Sequence, residues 1–526
     1  MKYSYRPIIC SVFAVLLVVL CISGCLGDNG DTEQNGIEGS HESVLRIAQT
    51  FGPSHSLDPA SDWVGWYVRQ AGIYETLFSY DENMELVPEL ATGYEAIDEV
   101  TWEVRLRDDV KFHDGTPMDA DAVVYSIERV MNPDNRRSSQ YRFIEDVYAV
   151  DNYTVHIVTQ KAYAPTIASL TDPIVSIVNP NVDNLAGNPS GTGPFIYSSF
   201  NPDIRLEVKK NENYWGDLAR VDRVVIEYVS DPLTRALKIE GRDVHIADSI
   251  PPSEVARLDA RPHLKMVNEE TMRTAFMYVN TNKEPLDDVR VRQAISHAIN
   301  REQVVNAALE GFGGSPAIGM FPSNFMWSAN DEIEPYHHDT DKALELLSEA
   351  GIEDTTGDGR LEYNGEPFTI DIKTYSARPE LRPAAEVMAI QLKSIGIESK
   401  AVTLESGALS ADMNNGNYDL ALYAWGIAPT GDPDYFLTQH FESGNTYAEW
   451  TGYSNPDVDE WLSIARTDPD ENVRMEYYNK VQKQVHEDCP QLFVFYYKKT
   501  VGLADEVDGF VLYPNEITVL TNNIGI

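Results

Sequence analysis

The chain has 526 residues, 43% hydrophobic and 10% aromatic, a globular composition long enough for two or three domains. Its formal net charge of −42 excludes a basic nucleic-acid footprint, and the ordinary meaning of so dispersed a charge is solubility. No short-period repeat is present, which excludes solenoids and propellers, and the four cysteines (Cys10, Cys21, Cys25, Cys489) form neither a disulfide framework nor a zinc-type spacing.

The N-terminus reads as an export signal. Lys2 and Arg6 precede an apolar run from Ile8 to Ile22, followed by Ile22-Ser23-Gly24-Cys25. The run is shorter than the roughly 20 residues of a membrane span. Small residues before a Cys resemble a lipoprotein processing box, so residues 1–24 are expected to be removed and Cys25 lipidated. Residues 25–43 are polar, acidic and Gly-rich, and read as a flexible tether.

The body opens with a strand at 44–51. Residues 63–77 are apolar at helical spacing and rich in aromatics, with Arg69 among them. Residues 101–107 alternate as a strand, Asp114-Gly115 makes a turn, and Asp119 caps a helix over 122–131. Strands follow at 153–160, 195–200 and 221–229, and a helix at 231–240. At 276–282 a strand runs into a polar segment. Helices are predicted at 287–299, 301–309 and 339–350. The order strand 367–375, helix 379–395, strand 397–404, strand 419–425 has a βαβ rhythm. Helices at 456–466 and 469–488 precede a strand at 490–497, with Cys489 a buried thiol between them.

The stretch 419–441 carries the densest candidate chemistry. Its strand must end in a shaped loop, because Gly426, Pro429, Gly431 and Pro433 do not fit regular structure. That loop offers Trp425, Asp432, Asp434, Tyr435 and His440, a combination suited to a ligand site. Three other groups read as structural: His337-His338 is solvated, His113 is exposed beside a turn, and 354–362 is a hairpin turn. That last segment departs from a calcium loop at Thr356 and at Gly365.

Eight segments in order, TWEVRLRDDVKFHDGTPMDADAVVYSIERVM (101–131), GTGPF (191–195), NENYWG (211–216), VNTNKEPLDDVRVRQAISHAINREQVV (279–305), DKALELLSEAG (341–351), YDLALYAWG (418–426), GDPDYFL (431–437) and GYSNPDVDEWLSIAR (452–466), resemble the extracellular solute-binding proteins of the peptide/nickel class. The resemblance implies a mixed α/β, two-lobed clam-shell of the type II periplasmic-binding-protein kind. Lobe one would hold 44–279 plus 500–526, with an extra subdomain at about 85–185, and lobe two 280–499. The hinge would lie near Tyr278–Asn280 and Tyr496–Thr500. It implies a non-enzymatic, monomeric, lipid-anchored extracytoplasmic protein that needs no cofactor and serves the permease and ATPase of an ABC importer.

Peptide-binding relatives place an Asp shortly after the Trp of the 418–426 segment. Here that stretch carries no acid before Asp432, and the wording is closer to nickel-binding relatives. The implied ligand is therefore nickel or another divalent metal held as a chelate, with a short peptide as the alternative. Trp425, Tyr67 and Tyr141 match ligand-site positions by resemblance. Arg69 or Arg142 would meet chelator carboxylates, and His440 would be the metal ligand. A secreted hydrolase and a sensory binding protein are the rival classes. No G-x-S-x-G, H-E-x-x-H or Cys–His pattern supports the first.

Overall fold

The computed structural model describes residues 42–426 and 430–526. The expected signal segment, Cys25 and the tether as far as residue 41 lie outside the described residues. Among the described residues, no helix is long and apolar enough to cross a membrane.

Two long strands organise the molecule. Leu264–Val279 and Gln491–Ala504 pair antiparallel from Leu264 opposite Ala504 to Tyr278 opposite Gln491. They run through a single eleven-stranded sheet, in which the short strand Gly314–Pro316 pairs only with the second of them. On one side the sheet continues through Leu420–Gly426, Thr369–Tyr375 and Glu398–Leu404. On the other it continues through Ile246–Ala247, Val44–Gln49, Arg223–Tyr228, Arg205–Lys210 and Phe195–Asn201. The two halves of the sheet belong to two lobes with separate cores. The register breaks between Glu270 and Thr274, opposite Lys498 and Tyr496. A second irregularity lies between Ala275 and Phe276, and Tyr278 beyond it is fully buried and pairs with Gln491.

Lobe two has the predicted βαβ rhythm. Thr369–Tyr375 pairs parallel with Glu398–Leu404 and with Leu420–Gly426. The intervening helix, Leu381–Ser394, buries Leu381, Ala384, Ala385, Met388 and Leu392, one helical stripe, against the sheet. Alternation along the crossing strand divides the lobe. Ala275, Met277 and Val279 enter this aliphatic core, whereas Phe276 and Tyr278 enter an aromatic one on the opposite face.

In lobe one, Val44–Gln49 pairs parallel with Arg223–Tyr228. A separate four-stranded antiparallel sheet includes Thr101–Leu106 and Thr154–Thr159 and is covered by Ala120–Met131. Asp119 caps that helix by accepting from the Ala122 amide, 3.1 Å.

The helix expected over 63–77 is only Val64–Gln70. Gly72 turns left-handed (φ 67°), and the carbonyls of Gly72 and Ile73 then bond Phe195 and Gly193 instead of continuing the helix. The GTGPF and NENYWG segments meet here. Buried Glu75 accepts from the Thr192 hydroxyl (2.7 Å), the Tyr214 hydroxyl (2.7 Å) and the Trp215 indole (3.0 Å). Burial, followed by the nearby Glu89 carboxylate, pushes its pKa up to about 7 against these three donors. His113 is half-buried rather than exposed. Its Nε2 lies 3.0 Å from the Gly193 carbonyl, and burial lowers its pKa to about 4.

Candidate functional site

A cavity of about 120 Å³ lies between the lobes. Its lobe-one wall includes Tyr141, Tyr163 and Asp172; its lobe-two wall includes Asp432, Asp434 and Tyr435.

Each acid is held from behind by an arginine. Asp172 caps the short turn Pro173–Val175 through the Ile174 amide (3.1 Å) and accepts from Arg137 at 2.5 Å. Arg137 is stacked 4.1 Å over the Trp63 ring, and its Nε donates to Gln140 (2.9 Å). Asp432 accepts from the Asp434 amide (2.9 Å) and from Arg474 (2.7 Å), which reaches across from the helix Glu471–Asp488. Burial raises the Asp432 carboxyl against the pull of Arg474. Asp434 opens the helix Asp434–Phe441, whose presence revises the expectation that all of this segment is loop. It accepts from Thr438 (2.6 Å), Arg466 (3.1 Å) and, across the cleft, the Tyr163 hydroxyl (3.1 Å).

Burial pushes the phenols of Tyr141, Tyr163 and Tyr435 upward, so all three stay neutral donors. With Gln140, Gln439, Ser169, Thr430 and Thr438 they complete a polar lining. Among the described residues, no Arg, Lys or His lines the cavity.

Of the site residues expected from sequence, the structure brings Tyr141 to this cavity. Tyr67 is half-buried on its helix, away from the lining. Trp425 is half-buried at the end of its strand, with its ring 5.0 Å from Tyr447 and 5.4 Å from His440. Arg69, expected as one of two candidates to meet the ligand, does not line this cavity. Its guanidinium is committed to Glu89 (2.6 and 2.9 Å) and to the Tyr74 carbonyl (3.2 Å). Arg142 is exposed at the end of the turn Ser138–Tyr141 and does not line the cavity.

His440, expected as the metal ligand, lies in the aromatic core of lobe two and not among the residues that line this cavity. The side chain is 1% exposed and stacks on Phe436 (4.0 Å), with Tyr278, Trp425 and Tyr447 also around it. Its Nδ1 bonds Gln491 (3.0 Å). Burial holds it neutral, with a pKa well below the usual value. Among the described residues, no cluster of metal-ligating side chains includes it. The one such cluster joins Asp354, Asp358 and Glu362, and these carboxylates are occupied by the loop's own amides and hydroxyls, as a hairpin turn requires.

Sequence reasoning missed Arg137, Asp172, Tyr163 and the arginines behind Asp432 and Asp434. Asp172-Pro173 offered a turn signal, but nothing local links it to Arg137, 35 residues earlier.

A model of the bacterial extracellular solute-binding proteins, family 5, matches residues 85–448, and the chain belongs to that family. It is 28% identical to the dipeptide-binding protein of Escherichia coli (strain K12) over 469 residues, 82% of this chain and 84% of that one. It is 30% identical to di/tripeptide-binding protein 2 of Pseudomonas aeruginosa, covering 77% of this chain and 80% of that one. The solved nickel ABC transporter structure from Bacillus halodurans superposes with a TM-score of 0.80 at 27% identity, covering 92% of this chain and 100% of that one. The two-lobed fold and the extracytoplasmic, non-enzymatic solute-binding role within an ABC importer follow from this membership.

Proposed function

We propose that this family 5 protein captures a short peptide between its lobes and delivers it to an ABC permease while tethered to the membrane through Cys25. The apolar run ending in Ile22-Ser23-Gly24-Cys25 supports the tether. One observation carries the ligand reading: carboxylates stand on both walls of the cavity, and no cationic side chain among the described residues lines it. A peptide ammonium finds Asp172, Asp432 and Asp434 there, and its amides find neutral phenols, hydroxyls and side-chain amides. A chelator carboxylate would need a cation in the wall. The two peptide-binding relatives support the same reading.

The metal-chelate reading is supported by the likeness at 27% identity to a nickel transporter structure and by the lack of an acid between Trp425 and Asp432. Calorimetry with a panel of di- and tripeptides, beside nickel with free histidine, separates the two. Peptide binding weakened at least about tenfold by Asp172→Asn is expected, from loss of a charge-assisted bond. Tight binding of nickel–histidine with no peptide binding would overturn the proposal. Mass spectrometry with metal analysis of the protein as purified gives a second, independent answer.

A further inference from the structure

Among the described residues, the following lobe-to-lobe contacts land on lobe-two residues 431–466. First, the hairpin built from Phe78–Tyr80 and Leu86–Pro88 is rooted in lobe one, where Phe78 is fully buried. Its tip residues Tyr80 and Met84 are 7% and 2% exposed and belong to the aromatic core of lobe two. The Tyr80 ring lies on the α-carbon of Gly431, whose φ is 64°, and a Cβ at that position would overlap the ring. Second, the Tyr163 hydroxyl donates to Asp434 at 3.1 Å. Tyr163 is braced within lobe one by the Phe143 ring, 4.4 Å away. Third, the Ala164 amide donates to the Arg466 carbonyl at 2.7 Å, while the Arg466 side chain bonds Asp434 and Glu442.

We infer that Tyr80, Tyr163 and Ala164 on one lobe, and Gly431, Asp434 and Arg466 on the other, form a clasp that favours the closed cleft through protein–protein contacts alone. Tyr163 and Tyr80 are then positioning residues. They set the population of the binding-competent state, and apparent affinity scales with that population. Asp434 is the shared element, because it faces the cavity and also closes the clasp. The inference does not depend on which solute is carried.

The test uses the whole chain stripped of solute by unfolding and refolding. Spin labels are placed at the exposed positions Glu145→Cys and Ser463→Cys in a chain whose Cys10, Cys21 and Cys25 are replaced by Ser, while Cys489 is buried. Pulsed electron–electron spectroscopy then reads the lobe-to-lobe distance distribution. A substantial closed population is expected without solute. Tyr163→Phe is expected to lower the closed-to-open ratio roughly tenfold, the effect of losing a hydrogen bond to a charged group. Tyr80→Ala is expected to lower it further, with far-UV circular dichroism unchanged in both. A solute-free distribution that is wholly open, or one that neither substitution moves, would overturn the inference. Because no solute is used, failure here is distinct from failure of the peptide proposal.

Discussion

Removing Arg69 gives a clear test of what that residue does. Its side chain is 9% exposed and forms a fork on Glu89, itself 14% exposed. Glu75, 3% exposed, stands close enough to feel Glu89. In Arg69→Met three hydrogen bonds are lost, two to Glu89 and one to the Tyr74 carbonyl. Glu89, partly buried beside buried Glu75, then has no cation and keeps only the Thr76 amide and hydroxyl. Breaking one side of a buried pair costs about 3–5 kcal/mol, mostly as the penalty of the stranded charge. Adding Glu89→Leu removes that charge, so the double variant should recover more than half of the loss. Urea unfolding followed by tryptophan fluorescence reads both numbers. A single variant within about 1 kcal/mol of the parent, with solute binding abolished, would refute the structural role and restore Arg69 to the ligand site.

Substituting His440 by Phe preserves the stack on Phe436 and should leave metal content and solute affinity unchanged, with destabilisation below about 2 kcal/mol; loss of a bound metal would contradict this. Glu75 titrates higher folded (about 7) than unfolded (4.5), so the folded state holds a proton that the unfolded state has released. Its contribution is fully present below pH 4.5 and is lost as pH rises to 7, by up to roughly 3 kcal/mol. The stability difference between wild type and Glu75→Gln should drift by that sign and order over this window; a flat difference would count against it. His113 runs the opposite way. Its folded value near 4 lies below the unfolded 6.5, so stability falls as pH drops from 6.5 to 4, and His113→Gln should reduce that acid-side loss in a thermal melt. Cys489 is 1% exposed and its thiol is pushed up to about 11 by burial, so it should resist aromatic disulfide reagents until the chain unfolds; rapid labelling of native protein would be the contrary result.

Much of the fold was legible in order along the chain, because its signals are local. The βαβ stretch 367–425 is set by hydrophobic period and by Gly396 closing the helix, and the Asp119 cap by its place before an apolar run. The stretch 419–441 contributes Thr430, Asp432, Asp434, Tyr435, Thr438 and Gln439 to the candidate cavity. What lay inside that site was decided only in three dimensions. No acid follows Trp425 closely in sequence, yet the fold brings Asp172, Asp432 and Asp434 around one cavity. Each is buried, and each is paired with an arginine distant in the chain or on another element. His440 and Arg69 have residue types suited to ligand chemistry, but both are buried away from the residues that line this cavity. Sequence carries period, caps and breakers because these act between neighbours. The exposure and partner of a charged side chain depend on segments far apart in the chain, and those two properties determine which residues can meet a solute.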